Sequence, residues 1–427
     1  MLKRSFISLA KPKLEYKPFA AIPGKPEPVA PPQRVTLLHE GEYEQTDAVR
    51  LKVGDGVKTG QKLAIYEGRA AYVISPVTGT VTGIAPFAGD FGRSYTAVTI
   101  EVADEEETDG DFGERAADPS LETAREFLEF APGRPAFKAF ADPERRIHTL
   151  VVSAMDPDLM VTTNQYVLRT DADALKSGIR VLKEITGVDR IVAALPNDIV
   201  QNVGSIGAEV IGIDATYPSG LPKLIVNTIL NEPVPAGRTI EDMGVTVMSA
   251  EAAAAVGRAF ENRQVPVTKY LTLIKKDGLK QMVSARIGTP VGDVLSAFGV
   301  TLQDRDRLIL GGPMTGSAIF SEDHPIQPDT DAILIQDRED VPAAADNACI
   351  NCGDCIRTCP VGIQVNMLVR FLEAGQYEEG ADLYDLYCCV DCGLCSFVCV
   401  AKIPIFQYIR LAKYELGRIQ SAEAENG

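Results

Sequence analysis

The spacing of apolar residues changes several times along the chain. Proline-rich residues 11–32 read as an extended arm, taken here as 1–34. From 35 to 105 apolar and polar residues alternate in short runs between turns. Val53-Gly54-Asp55-Gly56-Val57-Lys58-Thr59-Gly60-Gln61 and Ser75-Pro76-Val77-Thr78-Gly79-Thr80-Val81 mark this stretch, and predict a small β-sandwich. Residues 103–120, acidic and Gly-containing, read as a linker or long loop. From 121 to 262 apolar runs alternate with helical periods. Strands are predicted at 148–153, 190–195 and 209–213. A helix runs over 171–186, opened by Asp171 and stopped by Gly187, with Leu175, Ile179, Leu182 and Ile185 on one face. Further helices follow at 221–231 and 250–262. Such alternation implies a mostly parallel, Rossmann-like sheet, which binds ligands at the carboxyl ends of its strands.

Residues 263–340 carry a hairpin signal. Lys269-Tyr270-Leu271-Thr272-Leu273-Ile274 and a run over 280–287 flank Asp277-Gly278. A helix near Pro290 and the strand Arg307-Leu308-Ile309-Leu310 complete a β-grasp unit. Gly311-Gly312-Pro313-Met314-Thr315-Gly316 reads as a structural tight turn. Pro313 lacks an N–H and no Lys or Arg is present, whereas a phosphate cradle needs free donors. Residues 341–420 are helical, with helices predicted at 365–372, 377–387 and 405–416. The fold class is thus multidomain α+β.

Charge narrows the function. There are 42 Lys+Arg against 59 Asp+Glu, a net −17, which excludes a nucleic-acid binder. No apolar run approaches the ~18 residues of a membrane helix. Met1-Leu2-Lys3-Arg4 opens no apolar secretory region, so an intracellular chain is expected. The three histidines, His39, His148 and His324, are too few and too scattered for a His-rich metal site.

The cysteines are more informative. All nine lie between Cys349 and Cys399. Cys349, Cys352, Cys355 and Cys359 form C-x2-C-x2-C-x3-C, followed by Pro360, and Cys389, Cys392, Cys395 and Cys399 repeat the spacing. This is the two-cluster ferredoxin signature, in which the fourth cysteine of each run ligates the other cluster. One [4Fe–4S] is therefore assigned to Cys349, Cys352, Cys355 and Cys399, and a second to Cys389, Cys392, Cys395 and Cys359. Zinc takes paired C-x2-C motifs, and disulfides do not suit an intracellular chain. Gly353 and Gly393 occupy matching loop positions. Cys388 is left over, and reads as a buried free thiol. Two clusters in series make an electron relay.

Other chemistry is missing. The sandwich has the phrases of a lipoyl carrier, but its hairpin Glu67-Gly68-Arg69-Ala70-Ala71 has no lysine for a swinging arm. No G-x-G-x-x-G follows a predicted strand, and Gly204-Ser205-Ile206-Gly207 is wrongly spaced. No catalytic residue and no FMN or NAD residue is assigned.

The order of modules resembles the RnfC family, the C subunits of Rnf complexes, which are ion-translocating ferredoxin:NAD oxidoreductases. The resemblance covers nearly the whole chain. It rests on the phrase at 75–81, Tyr217-Pro218-Ser219-Gly220, Arg286-Ile287-Gly288-Thr289-Pro290-Val291, the loop at 311–316, both cysteine runs and Ile403-Pro404 to Arg410. Cobalamin reductases of microcompartments and the NADH-binding subunit of respiratory complex I are related. The resemblance implies a lipoyl-like domain at 35–105, an FMN/NADH-type α/β domain at 121–262, an SLBB-like β-grasp at 263–340 and a di-[4Fe–4S] ferredoxin domain at 341–420. It implies a translocase subunit at the cytoplasmic face of the bacterial inner membrane. Its partners would be Rnf membrane subunits and a ferredoxin, a cytochrome or NAD(H). The family's Gly-Gly-Ala-Gly-Phe-Pro loop has no counterpart in 121–148, where Gly133 is the one glycine. Its acidic loop appears as Val152-Ser153-Ala154-Met155-Asp156-Pro157-Asp158. Val400 replaces the proline after the last cysteine. The family admits FMN, but these departures point to a relay without its own NADH dehydrogenase activity. The alternative is a soluble reductase of the cobalamin-reductase type.

Overall fold

The computed structural model describes residues 12–16, 24–43, 49–68, 71–89, 93–201, 203–341, 344–345 and 347–426, with side chains to residue 420. Arg69 and Ala70 of the carrier-like hairpin, and residues 1–11 and 17–23 of the arm, lie outside the described residues.

Strands Arg34–Glu40, Ser94–Val102, Gly79–Ala88 and Gly56–Val57 form one antiparallel sheet in that order. Lys62–Ala64 and Tyr72–Ile74 pair separately. Alternation sends Val35, Leu37, Val81, Val98 and Ile100 inward, where they meet Ile65 and Val73. Residues 103–120, expected as a linker or long loop, instead hold a bridge and a short anchored helix. Thr108 bridges to Thr59, and Phe112 on helix Asp111–Arg115 is 1% exposed. Its ring packs 5.7 Å from Phe127 and 5.6 Å from Phe260, so one aromatic anchors the segment to the α/β core.

The α/β sheet is fully parallel, ordered Glu209–Ile213, Arg190–Pro196, Thr149–Ser153, Val245–Ser249. Helices Ala172–Thr186 and Ala250–Asn262 cross on one face at Gly178 and Gly257. A Cβ on Gly178 would lie 1.8 Å from the Ala253 carbonyl oxygen, so only glycine permits this approach. The arm straps onto this domain. Tyr16 N donates to the Ala215 carbonyl at 2.8 Å, and Tyr217 N to the Leu14 carbonyl at 2.7 Å.

A six-stranded mixed sheet follows. Its order is Glu27–Pro28, Lys280–Arg286, Thr268–Ile274, Ala332–Gln336, Arg307–Leu310, Ser317–Ile319. The hairpin turns at Asp277-Gly278 as predicted, with Lys280 opposite Ile274. Helix Val291–Ala297 covers Leu271, Val283 and Ile333. A buried ionic group ties this sheet to the α/β domain. Lys269 pairs with Glu251 and, at 2.9 Å, with Asp331, and neither Lys269 nor the Glu251 side chain has any exposed surface.

The C-terminal part comprises helices Asp354–Thr358, Val365–Glu373, Tyr377–Leu383, Leu394–Val398 and Ile405–Asn426. The third is shorter than predicted, giving way to a 3-10 turn at Leu386–Cys388, and the last runs well past 416. No helix of the described residues is long and apolar enough to cross a membrane.

Candidate metal centre

The two cysteine runs are a structural repeat. Asn351 and Asp391 hold φ of 58° and 57°, and Gly353 and Gly393 hold 76° and 70°. A five-residue helix follows each glycine and is capped by Cys359 or Cys399. These left-handed positions wind each loop so that three cysteines turn to one side.

The fourth cysteine crosses over. Cys349, Cys352, Cys355 and Cys399 line one cavity, closed by Asn366, Val369 and Ile403. In the second group, Cys392 lies within electrostatic reach of Cys359 and Cys389, and Cys395 of Cys389, Cys392 and, from the first group, Cys355. Burial, and then mutual repulsion of the sulfurs, pushes Cys355 up to about 11 and Cys392 up to about 11. Burial raises Cys389 and Cys395 too. Thiolates held this way want cationic charge between them. Among the described residues no three His, Cys, Asp or Glu side chains converge on a point that a single metal ion could occupy. A mononuclear site needs every donor about 2.0–2.3 Å from one ion. A cubane instead takes each thiolate on a different iron. Cys388, expected to be buried, is partly buried on the 3-10 turn.

The surroundings of the two runs differ. The second run is docked. Val390, Cys392 and Leu394 share a core with Tyr16, Val151 and Tyr217. The Tyr217 hydroxyl donates to the Cys392 carbonyl at 2.7 Å. A Cβ on Gly393 would lie 2.4 Å from the Met314 carbonyl oxygen. The Lys413 ammonium reaches the Cys389 carbonyl at 3.0 Å and Asp391 at 2.7 Å. The first run faces outward: Cys352 is exposed, and its neighbours Ile350 and Val400 are 65% and 43% exposed. We call these the inner and outer runs.

At the carboxyl end of the parallel sheet, the place for a nucleotide or flavin, the chain engages its own acids, beside a cavity of about 430 Å³ lined by Asp158, Gly312, Thr315, Arg134 and Asp331. Asp156 is fully buried and accepts the Asn164 amide at 2.8 Å and Gln165 Nε2 at 3.0 Å. Burial pushes its carboxyl up to about 7. Asp158 is clasped by the loop at 311–316. It accepts the Met314 amide at 3.0 Å, the Thr315 amide at 2.6 Å and the Thr315 hydroxyl at 2.7 Å. A Cβ on Gly312 would sit 2.4 Å from the Asp158 carboxyl carbon. The glycine loop is therefore structural, as expected, but its amides do hold an anion, one supplied by the same chain. At the N-terminus of helix Ala250–Asn262 the Ala252 amide is capped by Ser249 Oγ at 3.0 Å and Glu251 N donates to Asn164 Oδ1 at 3.3 Å. Gly133 presses on this end: a Cβ there would be 2.4 Å from the Ala252 nitrogen. Amides already bonded and packed in this way do not fit a flavin phosphate. The sequence showed the missing glycines. It did not show that both acids of the degraded loop are engaged inside the protein.

Residues 27–106 match the RnfC barrel sandwich hybrid domain family, and residues 132–258 match the Nuo51 FMN-binding domain family. The chain is 26% identical over 416 residues to the C subunit of a proton-translocating ferredoxin:NAD(+) oxidoreductase complex of Clostridium ljungdahlii, covering 92% of this chain and 90% of that one. It is 27% identical to the C subunit of the ion-translocating oxidoreductase complex of Klebsiella pneumoniae, over 92% of this chain and 55% of the relative. For the corresponding Pseudomonas aeruginosa protein the values are 28%, 86% and 50%. The chain thus spans about half the length of these last two relatives. A chain of a NAD+-reducing [NiFe]-hydrogenase aligns over 73% of this chain and 63% of its own length, at 13% identity and a TM-score of 0.44.

Proposed function

We propose that this chain, which belongs to the RnfC family, is a peripheral electron-transfer subunit of a membrane-bound, ion-translocating oxidoreductase. It would sit at the cytoplasmic face of the bacterial inner membrane. Its partners would be the Rnf-type membrane subunits and a soluble redox protein, a ferredoxin or a cytochrome, or NAD(H). One [4Fe–4S] would be held by Cys349, Cys352, Cys355 and Cys399, the other by Cys389, Cys392, Cys395 and Cys359. Bound there, each cluster accepts and releases one electron at a time.

The observation that carries this reading is the crossing of the fourth cysteine. Cys399 joins the cavity of the outer triplet, and Cys359 approaches Cys392 of the inner one. The protein's own contribution is to hold the two groups back to back on paired loops and to keep the inner one dry. The α/β domain at 121–262 would then act as the frame that seats the inner run. The lipoyl-like domain at 35–105 and the β-grasp at 263–340 complete that frame, and 341–420 is the ferredoxin module. The engaged amides at the sheet edge favour this role over flavin chemistry.

Anaerobic purification followed by iron and flavin analysis tests the proposal. About eight irons per chain are expected from two cubanes, without stoichiometric FMN. Stoichiometric FMN, with cluster bleaching on addition of NADH, would overturn the framing role. Co-purification with membrane subunits is expected, and a wholly soluble reductase activity would overturn the membrane assignment.

A further inference from the structure

The inner and outer runs share a backbone but not a charge environment. Lys413, on helix Ile405–Asn426, donates to the Cys389 carbonyl at 3.0 Å and to the Asp391 oxygens at 2.8 and 2.7 Å. Lys223, on helix Pro222–Leu230 of the α/β domain, donates to the Tyr387 carbonyl at 3.2 Å, just before Cys388 and Cys389. Burial, and then the Lys413 charge, hold the Lys223 ammonium below its usual range, so the two cations sense each other. Two ammonium groups meet one carboxylate there, and the balance beside Cys389 is positive. The Asp391 amide also points at the Cys389 sulfur, at 3.4 Å.

The outer run lacks this arrangement at the same places of the repeat. Asn351 stands where Asp391 stands, and exposed Glu373 stands where Lys413 stands. The cation at hand is Arg357, which lies in solvent, paired with Asp354 and bonded to the Cys352 carbonyl at 3.1 Å. A charge of opposite sign at an equivalent position thus adds to the difference in burial between the two sites.

Cluster reduction adds one negative charge to a group that is already anionic through its four thiolates. Fixed positive charge nearby favours the reduced state, and partial burial keeps that attraction from being screened. Net charge and hydrogen bonds to sulfur are recognised settings of cluster potential. We propose that Lys223 and Lys413 form a cationic clamp that raises the reduction potential of the inner cluster and leaves the outer cluster unaffected. They are positioning residues, acting through the field at Cys389 rather than by ligation. Lys223 belongs to the α/β domain, so docking the module on its frame completes the clamp. The inference rests on the ligand assignment proposed above.

The test is an EPR-monitored dithionite titration of the full chain, reconstituted anaerobically, beside Lys223→Met, Lys413→Met, Lys223→Arg and Lys413→Arg. The methionine variants should keep about eight irons and shift one midpoint downward. The expected shift is about tenfold in the reduction equilibrium, or 59 mV for one electron. The arginine variants should hold that midpoint near its original value. Full iron content with neither midpoint moved, or with both moved together, would overturn the clamp. A wild-type chain without two cubane signals would overturn the ligand assignment first, and the clamp with it.

Discussion

Two regions of this molecule present polar groups inward in quantity, and they do so to opposite ends. At the carboxyl edge of the parallel sheet, the donors and the acids satisfy one another. Asp158 takes the amides of Met314 and Thr315, and Asp156 takes those of Asn164 and Gln165. In the cysteine module the buried sulfurs face one another, repel, and are pushed toward the neutral thiol. A fold family's ligand site is therefore better judged by whether its polar groups are already bonded than by whether they are present. In the first region the acids are bonded within the chain, although Gln165 Oε1 beside them has no partner among the described residues. The other is arranged for positive charge.

The largest expected effect follows from removing a sulfur. Cys355→Ser and Cys395→Ser should each take the iron content from about eight to about four, and each should abolish a different EPR signal. Equal loss of both signals in either variant would erase the division into an inner and an outer group.

Lys269 tests the completed region. It pairs with both Glu251 and Asp331, and it joins the α/β domain to the six-stranded sheet. Lys269→Met leaves a buried carboxylate uncompensated, which costs about 3–5 kcal/mol. A thermal melt should show a large loss, partly recovered in Lys269→Met/Glu251→Leu. An unchanged melting temperature would mean that the two sheets are not coupled through this group.

Proton linkage at Asp156 gives the next effect. Burial raises its carboxyl from the ordinary 3.8 to about 7. The folded chain then binds the proton that the unfolded chain has lost, and stability falls as pH rises through that window. Denaturant midpoints measured from pH 5 to 7 should decline in the wild type. Asp156→Asn, which removes the charge and lets the unpartnered Gln165 Oε1 turn to accept from the new amide, should flatten the trend.

Much of this was legible in the sequence, for identifiable reasons. Doubled cysteine spacing is a local pattern, as is the Asp277-Gly278 turn, and both survive folding intact. The alternation of strand and helix from 149 to 262 follows from periodicity. What was hidden depends on single residues or on distance. Phe112 is one aromatic in an acidic stretch, too little to signal an anchored helix. The strapping of Leu14 to Tyr16 uses main-chain groups, which no side-chain pattern reveals. The clasp on Asp158 joins segments 156 residues apart. The last helix continues to Asn426 because its apolar stripe ends while good helix formers, Glu, Ala and Gln, carry on. The charge reversal between Glu373 and Lys413 was readable, but it means something only once the two helices are seen as equivalent.

The smallest effect is also the sharpest measure of how differently the two cysteine runs are seated. Gly353 and Gly393 occupy the same place in the repeat and hold nearly the same positive φ, 76° and 70°. Alanine at either position incurs the left-handed conformational penalty, about 1–2 kcal/mol. At Gly353 the nearest obstacle is the flexible end of Arg357, 3.1 Å from the new Cβ, which can swing into solvent. At Gly393 the obstacle is the backbone oxygen of Met314 at 2.4 Å, on the loop whose next amides hold Asp158. Gly353→Ala should therefore lower stability by the conformational penalty alone. Gly393→Ala should cost distinctly more and loosen the inner run from its frame. Hydrogen exchange at Met314 and Thr315 reads that loosening directly. Equal melting temperatures and equal exchange in the two variants would mean that the inner run is not held against the 311–316 loop.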